Sequence, residues 1–245
     1  MPEIWTVPEA VEGFLSEGLI REVLSVIKTG KEATAYLCRA APRLHARYAV
    51  AKVYHDLEDR DFNRSSIYEE GRVILNGQVR RAIRSHSDFG RKAEVSIWVD
   101  YEYEALCTLF NAGAGVPEPY ASDDQAILMA YLGDGSTPAP QLQHVTLAPD
   151  EARATWERLL WNVELMIANN LVHGDLSAFN VLYWKGRPTI IDLPQAVDPR
   201  FNHHARSLLE RDLRNLAKYF ERYGGRPDTD GIAADLWHRW QHGGL

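Results

Sequence analysis

Three polar residues are spaced along one stretch of the chain in a way that could bind a metal and handle a proton. Asp175 is followed five positions later by Asn180, and Asp192 closes the stretch. Carboxylate and amide oxygens are the ligands that Mg²⁺ prefers, so Asn180 and Asp192 are the candidate metal ligands. Asp175 is placed to accept a proton from a nucleophile near that metal, or to orient the nucleophile.

The segments between these residues predict how they meet. The apolar runs Val181–Trp184 and Thr189–Ile191 flank a short turn that contains Gly and Pro, a pattern typical of a β-hairpin. Folding the hairpin about Gly186 predicts that Asn180 lies opposite Asp192. The same order of Asp, Asn and strand-ending Asp occurs in protein-kinase catalytic loops. The alternative is a hairpin with polar ends and no chemistry, because Asp and Asn are common turn residues.

A lysine and a glutamate on other predicted elements extend this pattern. Lys52 stands among apolar residues in the predicted strand Tyr48–Tyr54. A lysine on an edge strand usually just extends to solvent, but kinases use one in this context to contact ATP phosphates and a helix glutamate. In the predicted helix Glu94–Asn111, Glu102 lies on the apolar stripe, so it is expected to face inwards and pair with Lys52. Glu104 is expected to be solvated.

A turn between two predicted strands is a further candidate for phosphate binding. The strands are Ile20–Ile27 and Thr34–Arg39. The turn residues are Lys28, Thr29, Gly30, Lys31, Glu32 and Ala33. Backbone N–H groups and a lysine at such a tip can contact phosphates. With one glycine the turn is neither a G-x-G-x-x-G loop nor a Walker A sequence, and a plain surface hairpin fits it equally well.

The remaining elements are a strand and several helices. The strand Ala126–Tyr131 runs into a Gly- and Pro-rich connection, which suits a hinge whose backbone could hydrogen-bond an adenine. Further helices are predicted at 8–18, at Glu151–Asn169 with Asp150 as its N-cap, at Ser207–Phe220 and around Trp237 and Trp240.

Composition narrows the class of protein. The 245 residues carry a formal net charge of −7 and 45% hydrophobic residues, values ordinary for a globular chain able to bury a full core. The acidic balance argues against general affinity for nucleic acid, and no DNA partner is expected. No apolar run could span a bilayer, and the first residues lack the basic and apolar regions expected of a signal peptide. The isolated Cys38 and Cys107 suggest neither disulfides nor a metal site, so a cytoplasmic location is expected.

One segment departs from the acidic balance. Within the polar stretch 55–93, the part from Arg72 to Lys92 has six basic residues and the single acid Asp88. The basic residues are Arg72, Arg80, Arg81, Arg84, Arg91 and Lys92. Such a segment can be a solvated helix and loop, or a surface that contacts RNA phosphates or an acidic protein.

Taken together, these motifs resemble the RIO family of atypical protein kinases over about residues 19–222. The turn 28–33 is similar to its Ser-Thr-Gly-Lys-Glu-Ala phosphate loop, with Lys28 in place of Ser. The run from His173 to Asn180 resembles its catalytic loop, and the run from Ile190 to Ala196 its metal segment. The segment 133–142 resembles the part that follows its hinge. Arg211-Asp212-Leu213-x-Asn215 is similar to a helix whose Asp steadies the catalytic loop.

The resemblance implies an α+β, two-lobed protein-kinase-like fold that lacks an activation loop and peptide-docking elements. It divides the chain into an N-terminal helical segment 1–18, a β-rich lobe 19–132 with the basic insertion 55–93, and a mainly helical lobe 133–245. With too little sequence ahead of residue 19 for the winged helix of one branch, the chain resembles the other branch or its bacterial relatives.

The resemblance also implies site residues, cofactors and partners. Lys52 and Glu102 would bind the phosphates of ATP, and Asp175 would be the catalytic Asp. Asn180 and Asp192 would bind Mg²⁺, with Mn²⁺ as a second candidate, and Asp192 could become phosphorylated. Ala130 and Leu132 would hold the adenine. The family is linked to maturation of ribosomal subunits, which makes a ribosomal particle or its RNA the expected partner.

Two other functions are compatible with part of the pattern. Aminoglycoside and choline kinase-like phosphotransferases share the His-Gly-Asp, Asn and later Asp, but would not be expected to show Thr-Gly-Lys-Glu-Ala or Pro-Ala-Pro. A pseudokinase-like binding module is the third reading. Retention of Lys52, Asp175, Asn180 and Asp192 argues against it.

Overall fold

The computed structural model describes residues 8–55, 87–135, 137–224 and 226–245. Most of the basic segment from Arg72 to Lys92 lies outside these ranges. The described residues form two compact units. The sheet unit comprises those within 8–55, 87–104 and 118–138, and the helical unit those within 105–117 and 139–245. None of the described helices is long and apolar enough to cross a membrane.

The sheet unit is built on a five-stranded antiparallel sheet in the order β1-β2-β3-β5-β4. The strands are β1 Ile20–Thr29, β2 Ala33–Ala40, β3 Tyr48–Tyr54, β4 Pro119–Asp123 and β5 Ala126–Ala130. The helix α1, Glu9–Ser16, packs Val11 and Phe14 into a core with Ala51 and Leu128. β3 is the central strand, so its backbone is held on both sides and fixes the position of Lys52 in the sheet.

Helix α2, Asp88–Asn111, begins six residues earlier than the sequence predicts. Its start is explained by Ser87, whose hydroxyl accepts the N–H of Gly90 at 3.1 Å, the bond that an N-cap side chain makes. Its end is set by Gly113, whose φ of +81° is readily adopted only by glycine, and the N–H of Ala114 then bonds Leu109 O at 3.0 Å.

The helical unit contains three long helices and one hairpin. The helices are α3 Pro149–Ala168, α4 Ala205–Phe220 and α5 Thr229–Gln241, and the hairpin strands are β6 Val181–Trp184 and β7 Arg187–Ile190. The prediction of Asp150 as N-cap of α3 is wrong, because Ala148 holds that position. Pro149 follows as the first helical residue, a position that suits its fixed φ and missing N–H. Glu151 accepts the N–H of Ala148 at 3.3 Å.

The hairpin corrects the predicted pairing of Asn180 with Asp192. Val181 pairs with Ile190, so the residue opposite Asn180 is Ile191, whose N–H bonds Asn180 O at 2.9 Å. The reason is the two-residue turn Lys185-Gly186, in which both residues have positive φ, 49° and 77°. That turn is of the I′ kind, which matches the twist of paired strands, and its centre lies half a residue before Gly186.

Candidate active site

The sheet unit contains the predicted pair of Lys52 and Glu102. Lys52 Nζ donates to both carboxylate oxygens of Glu102, at 2.8 and 3.0 Å. The Glu102 side chain is 4% exposed and that of Lys52 is 16% exposed. Lys52 Nζ also lies 5.0 Å from the ring centre of Tyr54, a cation–π contact on the same strand face. Glu104 is exposed, as the helical phase predicts.

The predicted turn 28–33 is tighter in the structure, because Lys28 and Thr29 belong to β1 and Ala33 belongs to β2, which leaves residues 30–32 as the connection. Gly30 N–H bonds Ala33 O at 2.9 Å, and the flanking Thr29 and Thr34 are paired across the strands. Lys28, Thr29, Gly30 and Lys31 are exposed, while Glu32 and Ala33 are half-buried. The turn therefore presents backbone and two lysines to solvent, the arrangement that can contact phosphates.

The predicted hinge follows β5, which ends at Ala130 rather than at Tyr131. The Ala130 N–H is bonded to Glu118 O at 2.8 Å, so any contact of Ala130 with an adenine must use its carbonyl group. Leu132 lies past the strand end and is half-buried. Gly133 then adopts a φ of +152°, and a Cβ placed on it would clash with Thr137 O, so the close turn admits glycine alone.

The loop that carries Asp175 is held from helix α4. Asp212, 1% exposed, accepts the N–H of Gly174 at 2.8 Å and that of Leu176 at 3.0 Å. The Arg211 guanidinium donates to the Gly174 carbonyl oxygen. Gly174 has a φ of +80°, a conformation that L side chains rarely adopt. The loop-steadying role that the resemblance implied for Asp212 thus matches its contacts.

His173 forms a second brace for this loop. Its Nε2 lies 3.2 Å from Ile191 O and its Nδ1 lies 3.3 Å from the N–H nitrogen of Asp175. A carbonyl can only accept and an N–H can only donate, so a neutral ring protonated on Nε2 satisfies both bonds. Burial lowers the pKa of His173, which favours that neutral form.

Asp175 and Asn180 are in direct contact. Asn180 Nδ2 donates to the main-chain oxygen of Asp175 at 2.8 Å and lies 3.4 Å from its Oδ2. This use of the amide nitrogen leaves the amide oxygen for another ligand. Asp175 is exposed, so its carboxylate is accessible to a substrate hydroxyl.

Asp192 lies just beyond the hairpin ladder and is exposed. Its φ is +71°, which costs a non-glycine residue about 1 kcal/mol, although Asp and Asn tolerate it better than most. Residues outside the usual φ/ψ regions concentrate at functional sites. The predicted ligand therefore lies two residues past the end of β7, in a left-handed backbone conformation, and not in the strand.

The segment after the hinge braces the catalytic loop within the helical unit. Gln141 Nε2 donates to Phe179 O at 2.7 Å, and Gln143 N–H donates to Ala178 O at 3.2 Å. Tyr183 N–H bonds Pro140 O at 2.9 Å. Gln141, Arg211 and the ring of His173 have no role that the sequence pattern predicts. Only their distances identify these contacts, because nothing in a lone Gln or Arg predicts which carbonyl it reaches.

The described residues include no cluster of three or more His, Cys, Asp or Glu side chains that could hold a metal ion. The candidate set of Asn180 and Asp192 adds an amide oxygen to a carboxylate, and Asp175 is in contact with Asn180. An all-oxygen set of this kind fits a hard cation such as Mg²⁺, which usually keeps several of its waters.

The fold and these residues define a phosphotransferase of the protein-kinase type. One unit is an antiparallel sheet with a buried Lys–Glu pair, and the other is mainly helical with an Asp, Asn and Asp on one loop and hairpin. The chain belongs to the RIO domain family, whose family model matches residues 42–232.

Relatives with assigned names agree with this membership. A RIO-type serine/threonine-protein kinase, Rio1 of Thermoplasma acidophilum, is 37% identical over 139 residues, covering 56% of this chain and 71% of that protein. The serine/threonine-protein kinase RIO1 of Homo sapiens is 29% identical over 214 residues, covering 85% of this chain. The chain matches 35% of the human protein's length.

A solved structure shows the same fold. The Rio2 kinase of Chaetomium thermophilum, crystallised as an ADP/Mg²⁺–phosphoaspartate complex, superposes with a TM-score of 0.65 at 21% identity. The match covers 92% of this chain and 64% of that one. The two-lobed kinase-like fold is thereby confirmed, and the comparisons favour the RIO family over the aminoglycoside and choline kinase-like enzymes.

Proposed function

We propose that this chain is a RIO-type kinase and ATPase that transfers the γ-phosphoryl group of ATP to a protein Ser or Thr, to its own Asp192, or to water. The observation that carries the proposal is the buried ion pair of Lys52 and Glu102, at 2.8 Å. A buried ion pair contributes little net stability, so its presence in the same unit as the exposed turn 28–33 favours a role in binding phosphates. The names of the relatives support the same activity.

In the sheet unit, Lys52 would bind the ATP phosphates while Glu102 holds its ammonium group in place. The turn 28–33 would add backbone N–H groups and the lysines Lys28 and Lys31. The Ala130 carbonyl and the Leu132 backbone would hydrogen-bond the adenine, because the Ala130 N–H is already bonded to Glu118.

In the helical unit, the Asn180 amide oxygen and the Asp192 carboxylate would hold Mg²⁺, or Mn²⁺ as the second candidate. The bound ion supplies positive charge that offsets the phosphate oxygens. Asp175 would receive the proton of an attacking hydroxyl, and the bond from Asn180 Nδ2 to the Asp175 main chain keeps its carboxylate in place. His173 and Asp212 hold the backbone on either side of Asp175.

Self-phosphorylation would occur on Asp192. One oxygen of its carboxylate would attack the γ-phosphorus, the bond to the bridging oxygen would break, and ADP would leave with the bonding electron pair. Residues 193–204, all of which the structure describes, connect Asp192 to α4 mostly through turns. So short a connection offers little surface to hold a peptide hydroxyl in line. The phosphoaspartate in the Chaetomium Rio2 crystal supports this acceptor.

The test is the fate of labelled phosphate from ATP. The enzyme is incubated with γ-labelled ATP, trapped, and treated with hydroxylamine, which cleaves an acyl phosphate but leaves phosphoserine intact. We expect ATP hydrolysis, little labelling of free peptides, and hydroxylamine-labile label that is absent from Asp192→Asn. Full retention of label, with faster labelling of an added protein than hydrolysis, would identify a conventional serine kinase instead.

We also propose a ribosomal particle or its RNA as the partner, reached through the basic segment from Arg72 to Lys92. The support is the charge of the sequence, six basic residues against one acid, in a chain of net charge −7. A cytoplasmic location belongs to the same proposal, and the two free cysteines Cys38 and Cys107 are compatible with it.

A further inference from the structure

We propose that His55 is a positioning residue that fixes the phosphate-binding turn 28–33 relative to the strand that carries Lys52. This inference rests on the proposed function, because it concerns how the same site binds phosphate. His55 directly follows β3, three residues after Lys52, and it is half-buried. It lies in the sheet unit with the turn, and it is hydrogen-bonded to Lys31, Glu32 and Thr34.

Three hydrogen bonds join His55 to the turn. Its backbone N–H donates to Glu32 O at 2.9 Å. Its ring Nδ1 lies 3.2 Å from Lys31 O, and its ring Nε2 lies 2.8 Å from the Thr34 hydroxyl. The ring therefore bridges the tip of the turn and the first residues of β2, while the backbone bond extends the pairing of β2 with β3.

The chemistry of the partners determines the proton on the ring. Lys31 O can only accept, so Nδ1 carries a hydrogen and donates it. Nε2 then either accepts the hydroxyl proton of Thr34 or, when protonated, donates to that hydroxyl. Thr34 Oγ1 is also 3.5 Å from Thr29 Oγ1, on the opposite side of the turn. Both ring contacts are consequently kept in either protonation state.

The consequence is a mechanical link between two phosphate-binding parts. The tip of the turn is closed by the bond from Gly30 N–H to Ala33 O at 2.9 Å, and Lys28 to Lys31 are exposed. Without the ring, the carbonyl oxygen of Lys31 would lose the hydrogen bond that it accepts from Nδ1. The orientation of the neighbouring backbone N–H groups would then no longer be fixed. β3 has β2 and β5 on its two sides, so His55 ties the tip of the turn to a strand that is paired along both edges.

The experiment compares nucleotides with and without phosphate. Binding of ATP, ADP and adenosine to the full chain is measured by calorimetry for wild type, His55→Ala and His55→Gln. We expect His55→Ala to weaken the binding of ATP and ADP about tenfold, because one or two ordinary hydrogen bonds are lost. The binding of adenosine should not change. His55→Gln, which keeps a side-chain donor and acceptor, should recover part of the loss.

Thr34→Val and Thr34→Ser provide a second, independent pair. Thr34→Val removes the hydroxyl that the ring contacts, so it should weaken the binding of ATP but not that of adenosine. Thr34→Ser keeps the hydroxyl and should bind both with the affinity of the wild type. His45→Asn is the control histidine, because His45 is exposed in the same unit and Asn tolerates its φ of +51°.

Three results would overturn the inference. Equal losses of affinity for ATP and adenosine would show that His55 contributes to the stability of the fold rather than to phosphate binding. Unchanged ATP binding in both His55→Ala and Thr34→Val would show that the contacts of His55 do not position the turn. Wild-type protein that binds adenosine but neither ATP nor ADP would remove the proposed function as well. Failure of the proposed function can be told apart from failure of this inference, because it is seen in the wild-type protein alone.

Discussion

Lys52 Nζ lies 2.8 and 3.0 Å from the two carboxylate oxygens of Glu102, and both side chains are largely shielded from water. The two residues are fifty positions apart in the chain. Removing one partner from a buried pair of this kind typically costs about 3–5 kcal/mol, because the other charge is left without compensation. The pair thus fixes the position of the lysine, and the loss of either partner would lower the free energy of unfolding.

Glu102→Gln should sharply depress phosphoryl transfer while Glu104→Gln is nearly neutral. The amide of the Glu102→Gln variant lacks the negative charge that holds Lys52 Nζ. Glu104, by contrast, lies on the exposed side of the helix. Initial rates of ATP turnover, with thermal unfolding to verify folding, measure the difference. A larger loss in Glu104→Gln than in Glu102→Gln would contradict the assigned pairing.

Replacement of Asp192 should weaken the binding of Mg·ATP without a matching loss for free adenosine. Asp192→Ala removes the proposed ligand, but it also places Ala at a φ of +71°. Asp192→Gly removes the same ligand and relieves that strain. Calorimetry should therefore show a similar large loss for both variants, and Asp150→Ala, exposed at the start of α3, should behave as wild type. A loss confined to Asp192→Ala would assign the effect to backbone strain, and unchanged affinity in both would exclude Asp192 as a ligand.

Asp212 should make stability depend on pH in the acid range. Burial raises the pKa of Asp212 from 3.8 to about 7, although the N–H groups of Gly174 and Leu176 and the Arg211 charge oppose that rise. The folded state then holds a proton that the unfolded state has already released. Stability from this group is fully present below pH 3.8, falls as pH rises to about 7, and is constant above.

The test is chemical denaturation of wild type and Asp212→Asn between pH 4 and pH 8. The free energy of unfolding of wild type relative to the variant should fall with rising pH by at most about 1.4 kcal/mol per pH unit, and then level off. Asn does not titrate, so the difference isolates Asp212. A difference that rises with pH would show that the hydrogen bonds hold the pKa of Asp212 low.

Neutralising Arg80, Arg81 and Arg84 together should weaken a salt-sensitive association with ribosomal subunits or RNA and leave basal ATP turnover unchanged. Each phosphate contact that is lost should reduce the salt dependence of binding. Co-sedimentation over a range of salt concentrations measures both effects. Identical sedimentation of wild type and triple variant would argue against this surface, and a triple replacement of Arg153, Arg158 and Arg206 controls for net charge.

Local pattern was sufficient to predict much of the fold and most of the candidate site. The strand Tyr48–Tyr54 was predicted with its observed ends, because its apolar residues form one short continuous run around Lys52. The inward direction of Glu102 followed from helical phase, since residues three and four apart share one face. These predictions succeed because they depend on neighbours within a turn or two of the chain.

The sequence pattern missed features that depend on how the chain turns. β4, Pro119–Asp123, escaped prediction because its mixed, half-buried residues show no clear alternation. The hairpin register was wrong by one residue, because the positive φ of both Lys185 and Gly186 shifts the turn centre and places Ile191, not Asp192, opposite Asn180.

What the sequence by itself determined is the set of chemical groups, Lys52, Glu102, Asp175, Asn180 and Asp192, and the helix or strand on which most of them stand. Their supports were decided by the tertiary structure. Arg211 reaches the carbonyl oxygen of Gly174 across 37 positions of the chain, and His55 reaches Thr34 across 21. A hydrogen bond requires atoms about 3 Å apart, and over such separations only the folded chain, not residue type or spacing, determines which atoms meet.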